Sequence, residues 1–195
     1  MTDEVAERRR PGRPAQISRD KIVEAVSLAD NVDTLTMREL AASLGVSHSA
    51  LYRWIKNRDE LFDLLSEVVV ERILLRADVG DPEWRAWLTR LAWAMHDEFL
   101  ALPGYATHLS RPHQHNAHSI DRLRGAVGAV LRQSGVTAEM AEHSWQIFVT
   151  CVVSWLAATE NPLHLGADAP RFDLFLDTLL RGLPAREPGA VQPAS

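Results

Sequence analysis

The sequence predicts an all-α protein of about nine helices: an N-terminal three-helix helix-turn-helix unit, then a larger helical domain. Three observations carry that prediction. Ser, Thr or Asn stands before apolar runs of helical period along most of the chain. Leu35 to Leu61, LTMRELAASLGVSHSALYRWIKNRDEL, sets two short capped helices around a glycine. No alternating strand pattern or hairpin dipeptide interrupts them.

Arg8 to Gln16, RRRPGRPAQ, mixes arginine with proline and glycine, so residues 1–16 are expected to form a flexible basic arm. Ser18 caps a first helix from about Arg19 to Asp30, whose apolar face is Ile22, Val23, Ala25, Val26 and Ala29. Thr36-x-x-Glu39 is a capping box, in which hydroxyl and carboxylate each satisfy the other residue's amide, and Leu35 and Leu40 flank it as a hydrophobic staple. Gly45 supplies the turn and Ser47 caps a helix from His48 to Ile55. Asn57-x-x-Glu60 starts a fourth helix to about Arg76, long enough to leave residues 17–60 and join residues 61–183.

Asp81-Pro82 is expected to cap a segment to about Ala101, where Trp84, Trp87, Leu88, Leu91, Ala92 and Met95 recur near period 3.6. Pro103 begins a short helix or turn, Arg111 to Asn116 a loop, and Ser119 to Ser134 a helix ended by Gly135. Thr137 caps the longest apolar helix, about Ala138 to Thr159. A loop from Asn161 to Pro170 leads to a last helix, Arg171 to Leu183, and residues 184–195 are expected to be a disordered tail.

At 195 residues with 46% hydrophobic content, the chain has ample material for a core. The net charge of −5 is unevenly placed: residues 1–60 hold ten Lys/Arg against ten Asp/Glu, and 61–195 hold eleven against sixteen. The negative excess therefore lies outside the helix-turn-helix unit, which removes the objection to a polyanionic partner. The N-terminus carries no secretory signal and no apolar run spans a bilayer, so a cytoplasmic protein without membrane contact is expected. Cys151 is the single cysteine, which leaves no internal disulfide and agrees with a reducing compartment.

The penultimate helix is apolar on all sides, and such a helix must be buried on all sides. One face is therefore expected to meet a second copy of the chain: Val149, Val152, Val153 and Leu156, joined by Phe172, Phe175, Leu176 and Leu179 of the last helix, would build a four-helix homodimer seam.

The capping box, Gly45-Val46-Ser47, Leu51-Tyr52 and Asn57-Arg58-Asp59-Glu60-Leu61, in this order near the N-terminus of an all-helical chain, resemble the TetR family of repressors. Tyr52-x-x-x-Lys56-Asn57 is similar to the branch of the tetracycline repressor, and the specific match covers roughly residues 18–65. The resemblance implies a homodimer that binds a double-stranded operator and a small-molecule inducer. By position it implies that Thr36, Tyr52 and Arg58 grip phosphates while Arg38 and His48 touch base edges. Ser47, Ser49 and Lys56 complete the reading surface, Arg13 of the arm resembles a minor-groove hook, and Trp54 either contacts DNA or packs in the core.

Aromatic and imidazole side chains of the larger domain suggest an apolar ligand pocket: Trp93, His96, Phe99, Tyr105, His108, His143, Phe148, Cys151 and Trp155. The expected function is a repressor released from a near-palindromic site by a small hydrophobic ligand, without cofactor or metal. Two alternatives remain open: an accessory DNA-binding factor without a ligand, and a metal-responsive repressor using the cluster from His108 to His118. No catalytic set or phosphate loop is recognisable, so an enzyme is not expected.

Overall fold

The computed structural model describes residues 17–80, 83–161 and 171–186, and there the chain forms nine α-helices and no strand. They are α1 Arg19–Ser27, α2 Met37–Ser43, α3 His48–Tyr52, α4 Arg58–Ala77, α5 Trp84–Leu100, α6 Tyr105–Leu109, α7 Ala117–Arg132, α8 Ala138–Glu160 and α9 Phe172–Gly182. The arm with Arg13, the Asp81-Pro82 start, most of the loop before α9 and the end of the tail lie outside the described residues.

Local chemistry sets these boundaries. Ser18, Thr36, Ser47, Asn57 and Thr137 each accept a hydrogen bond from an amide three residues on, an N-cap worth ~1 kcal/mol. Several expected boundaries shift. Helix α1 ends at Ser27, not Asp30, because Asn31 organises the next turn: its carbonyl accepts from the Thr34 and Leu35 amides. Helix α3 ends at Tyr52, although the Ile55 amide still donates to the Leu51 carbonyl at 3.0 Å. Glu83 caps α5 through the Ala86 amide, at 2.9 Å. Asn116 caps α7 by accepting from the Ser119 amide, so that helix starts two residues before Ser119.

The first three helices close on Ile22, Val26, Leu40, Leu51 and Ile55. Helix α4 packs against α1 on one side and against α5 and α7 on the other, so one continuous rod belongs to both halves. The Asp78 carboxylate accepts from the Trp87 indole at 2.9 Å, and Arg90 donates to the Ala77 carbonyl at 3.0 Å, which satisfies the C-terminal end of α4. Helix α8 lies against α5, α6, α7 and α9.

Its burial is one-sided, contrary to expectation. Ala141, Trp145, Phe148, Val152 and Leu156 recur at steps of three and four and face the chain's own core, while Ile147 is exposed. Val152 and Leu156 are therefore wrapped within the protomer, as are Phe172 and Leu176 of α9, and all four leave the expected dimer face.

Candidate nucleic-acid interface

Helix α2 starts on the capping box the sequence announces. The Thr36 amide and hydroxyl both donate to the Glu39 carboxylate at 2.8 Å, and the Glu39 amide returns a bond to the hydroxyl at 3.2 Å. These Thr36 donors hold the Glu39 carboxyl below its ordinary range, so the box is complete at neutral pH and opens as pH falls through that lowered value.

The turn out of α2 needs a left-handed residue, and Gly45 has φ +66. The Gly45 amide donates to the Ala42 carbonyl and the Val46 amide to the Ala41 carbonyl, both at 3.0 Å, a Schellman closure. The chain is thereby turned so that α3 buries Leu51 and shows solvent Ser47, His48, Ser49 and Tyr52. The Ser47 and Ser49 hydroxyls are 3.1 Å apart, and the His48 and Tyr52 rings, one turn apart, have centroids 4.4 Å apart.

Trp54 is 53% exposed and does not close the three-helix core. Arg38 and Lys56 are exposed on the same head, the latter with its ammonium 3.6 Å from Glu60. Arg53, between Tyr52 and Trp54, is exposed as well; sequence reading passed over it because it continues no motif.

Arg58 is a correction. Its guanidinium turns inward, donating to the carbonyls of Leu35 at 2.6 Å and Val32 at 3.1 Å and also to that of Asp33, rather than outward to a phosphate. It lies 3.6 Å from the Asp33 carboxylate and 5.1 Å from the Phe62 ring centroid. His108 of α6 stacks on the other partner of this junction, its ring centroid 3.5 Å from that of Phe62, with Nδ1 3.3 Å from Asp33. Arg111 reaches the same carboxylate at 2.5 Å. Burial, opposed by Asp33, holds the His108 imidazole below its ordinary value. The Val32 amide also donates to the Pro103 carbonyl at 2.7 Å. The loop between α1 and α2 is thus fastened to α4 and α6 together.

Beyond that junction a cavity of about 80 Å³ opens between α4, α5, α6, α7 and α8. Of the pocket residues expected from sequence, Phe99 and Tyr105 line it. The others do not. Trp93, His96 and Trp155 pack around Phe172, at centroid distances of 4.9, 4.7 and 4.8 Å, on the α5–α8–α9 side. Phe148 is fully buried in the core, His143 is exposed, Cys151 is half-buried and His108 belongs to the Asp33 junction. Val149 and Val153, expected at the dimer seam, face the cavity instead, with Ser66, His115, Asn116 and Ser119. The Ser66 and Tyr105 hydroxyls are 3.0 Å apart, and burial pushes the Tyr105 phenol up to about 12.

The rings of His108, His113 and His115 do lie together, with centroids 4.7 Å apart for the first pair and 3.9 Å for the second. Among the described residues no three His, Cys, Asp or Glu side chains are placed to hold an ion, and His118 lies apart on the α4 side beside Arg72 and Arg122. None of the described helices is long and apolar enough to cross a membrane. On α9, Leu174 is exposed, and it shares an open apolar groove with Trp155, Phe175 and Leu179.

No family model matches the chain. The HTH-type transcriptional repressor DrrR1 of Streptomyces coeruleorubidus is 37% identical over 89 residues, which is 43% of this chain and 33% of that protein. The chain thus matches about a third of the length of that curated relative. Among solved structures, a possible TetR family transcriptional regulator from Streptomyces coelicolor A3(2) superimposes with a TM-score of 0.64 at 25% identity, covering 78% of this chain and 76% of that one. The Streptomyces coelicolor TetR family protein ActR in complex with (S)-DNPA gives a TM-score of 0.66 at 25% identity, covering 88% and 98%.

Proposed function

We propose, from the premise that the chain is a TetR-family transcription regulator, that it is a repressor whose homodimer leaves a near-palindromic operator on binding a small apolar molecule. The observation that carries this reading is the outward row Ser47, His48, Ser49 and Tyr52, set on a glycine turn with Leu51 locked behind it. A helix so presented lays its exposed side chains along base edges in the major groove. Arg38 and His48 read bases, while Thr36, Tyr52, Lys56 and the exposed Arg53 contact backbone. Regulation rather than turnover is its work, and it acts in the cytoplasm, where the DNA is.

Dimerisation uses the open apolar face of Trp155, Leu174, Phe175 and Leu179, which remains after the core has taken Val152, Leu156, Phe172 and Leu176. The heads, residues 17–60, are then carried by paired bodies, residues 61–183. A ligand in the cavity favours one spacing of the heads, and its differential affinity for the two spacings, typically ~1–3 kcal/mol, sets how far the operator is released. The cavity touches α4 and α6, the same helices that hold Asp33 and its loop.

Arg38→Ala is expected to relax preference at one base pair and to cost ~1–3 kcal/mol there, whereas Tyr52→Phe weakens all sequences evenly. Competition titrations against an operator substituted one base pair at a time measure both. An Arg38→Ala variant with an unaltered base profile would remove the residue from the reading set.

A further inference from the structure

We propose that the cavity selects a neutral, mostly apolar molecule of one ring bearing a carbonyl group, whose oxygen accepts from the Ser119 hydroxyl. The inference deepens the repressor reading and rests on it for the consequence at DNA.

The walls are largely aliphatic, with Val70, Ile73, Met95 and Leu123 from three helices, so most of the ligand surface must be apolar. Ser119 sits among them, 2% exposed, and its Oγ has no hydrogen-bond partner among the described residues. A buried hydroxyl left unpaired is costly, and its unmet hydrogen calls for an acceptor. A second donor is close to hand in kind: Ser66 and Tyr105 share one bond of 3.0 Å, so one hydroxyl of that pair keeps its own hydrogen to give. Each of these hydroxyl groups has a hydrogen to give toward the cavity, and a carbonyl oxygen, with two lone pairs, can accept it.

Charge decides the rest. Among the described residues no Asp, Glu, Lys or Arg side chain lines the cavity. His115 is held below its ordinary value by burial and by the neighbouring His113, so it is neutral at pH 7 and supplies no cation. The Tyr105 phenol, pushed up to about 12, remains a neutral donor. A carboxylate would enter without a counter-charge and an ammonium without a carboxylate, and each would lose its hydration for nothing in return.

Three matched probes separate these terms: propiophenone, propylbenzene and 4-ethylbenzoate, titrated calorimetrically into the full chain without DNA. The ketone is expected to bind about tenfold more tightly than the hydrocarbon, the gain from one neutral hydrogen bond, and the carboxylate more weakly than either. Ser119→Ala should remove most of that tenfold preference and leave propylbenzene affinity unchanged, which also shows that the cavity of the variant is intact. A carboxylate that binds as tightly as the ketone, no binding of the ketone, or a preference that survives Ser119→Ala would overturn the proposal. Operator release is followed separately by fluorescence anisotropy. The expected preference without release upholds the ligand class and counts against the repressor reading alone.

Discussion

Gly104→Ala is expected to lower stability by about 2–5 kcal/mol and to abolish operator binding at concentrations where the parent is saturated. Gly104 precedes α6 with φ +89, a conformation that any L side chain resists. A Cβ there would lie 2.2 Å from Asn31 Oδ1, 2.8 Å from its Cγ and 3.0 Å from the Asp33 backbone nitrogen. Asn31 cannot simply swing aside, because its Oδ1 holds the Asp33 amide at 2.7 Å. The neighbouring backbone is pinned as well: the Glu160 carboxylate of α8 accepts from the Gly104 and Thr107 amides, each at 2.9 Å. Relief therefore requires the α1–α2 loop to part from α6, which would free the reading head from the body. Gly45→Ala is the internal comparison, since its Cβ meets nothing within 4 Å and its cost should be only the conformational ~1–2 kcal/mol. Urea denaturation of both variants checks the difference. A Gly104→Ala protein as stable as the parent would show that the junction yields easily.

Arg58→Ala is the second large effect, expected at about 2–4 kcal/mol of stability, because charge-assisted bonds to carbonyls are stronger than neutral ones. The variant strands the carbonyls of Val32, Asp33 and Leu35, which water reaches only in part, and leaves the Asp33 carboxylate to His108 and Arg111. Arg58→Lys keeps the charge but not the fork, so it should recover less than half of the loss. Urea midpoints measured beside operator affinity separate this role from a phosphate contact. If Arg58→Ala melts like the parent and weakens every duplex equally, the arginine grips DNA after all.

Local signals were legible in the sequence wherever partners lie within four residues. Thr36 and Glu39, Ser47 and Ala50, Asn57 and Glu60 bond as their spacing announces, and Gly45 turns where a left-handed residue is needed. The latch between Arg58 and Asp33 joins residues 25 apart in sequence, and no spacing rule links them. Arg58 was taken for a phosphate contact because it stands beside a motif whose other members do face outward.

The cavity was misplaced for a different reason. Aromatic content drew attention to Trp93, His96 and Trp155, yet large rings satisfy one another, and here they close around Phe172. The open space is left where shorter aliphatic side chains, such as Val149 and Val153, fail to fill it. Helical periodicity told that α8 would be buried, but not which face meets its own chain, so Val152 and Leu156 were assigned to a partner although their own chain buries them.

The central claim is that two copies of the α2–α3 head enter one duplex together. Selection of bound sites from random DNA, with sedimentation of the recovered complex, tests it most directly. The expected result is two protomers on a near-palindrome whose half-site centres lie about 10 bp, or roughly 34 Å, apart or a multiple of that. A single protomer on an asymmetric site, or no enrichment of any duplex, would contradict the account.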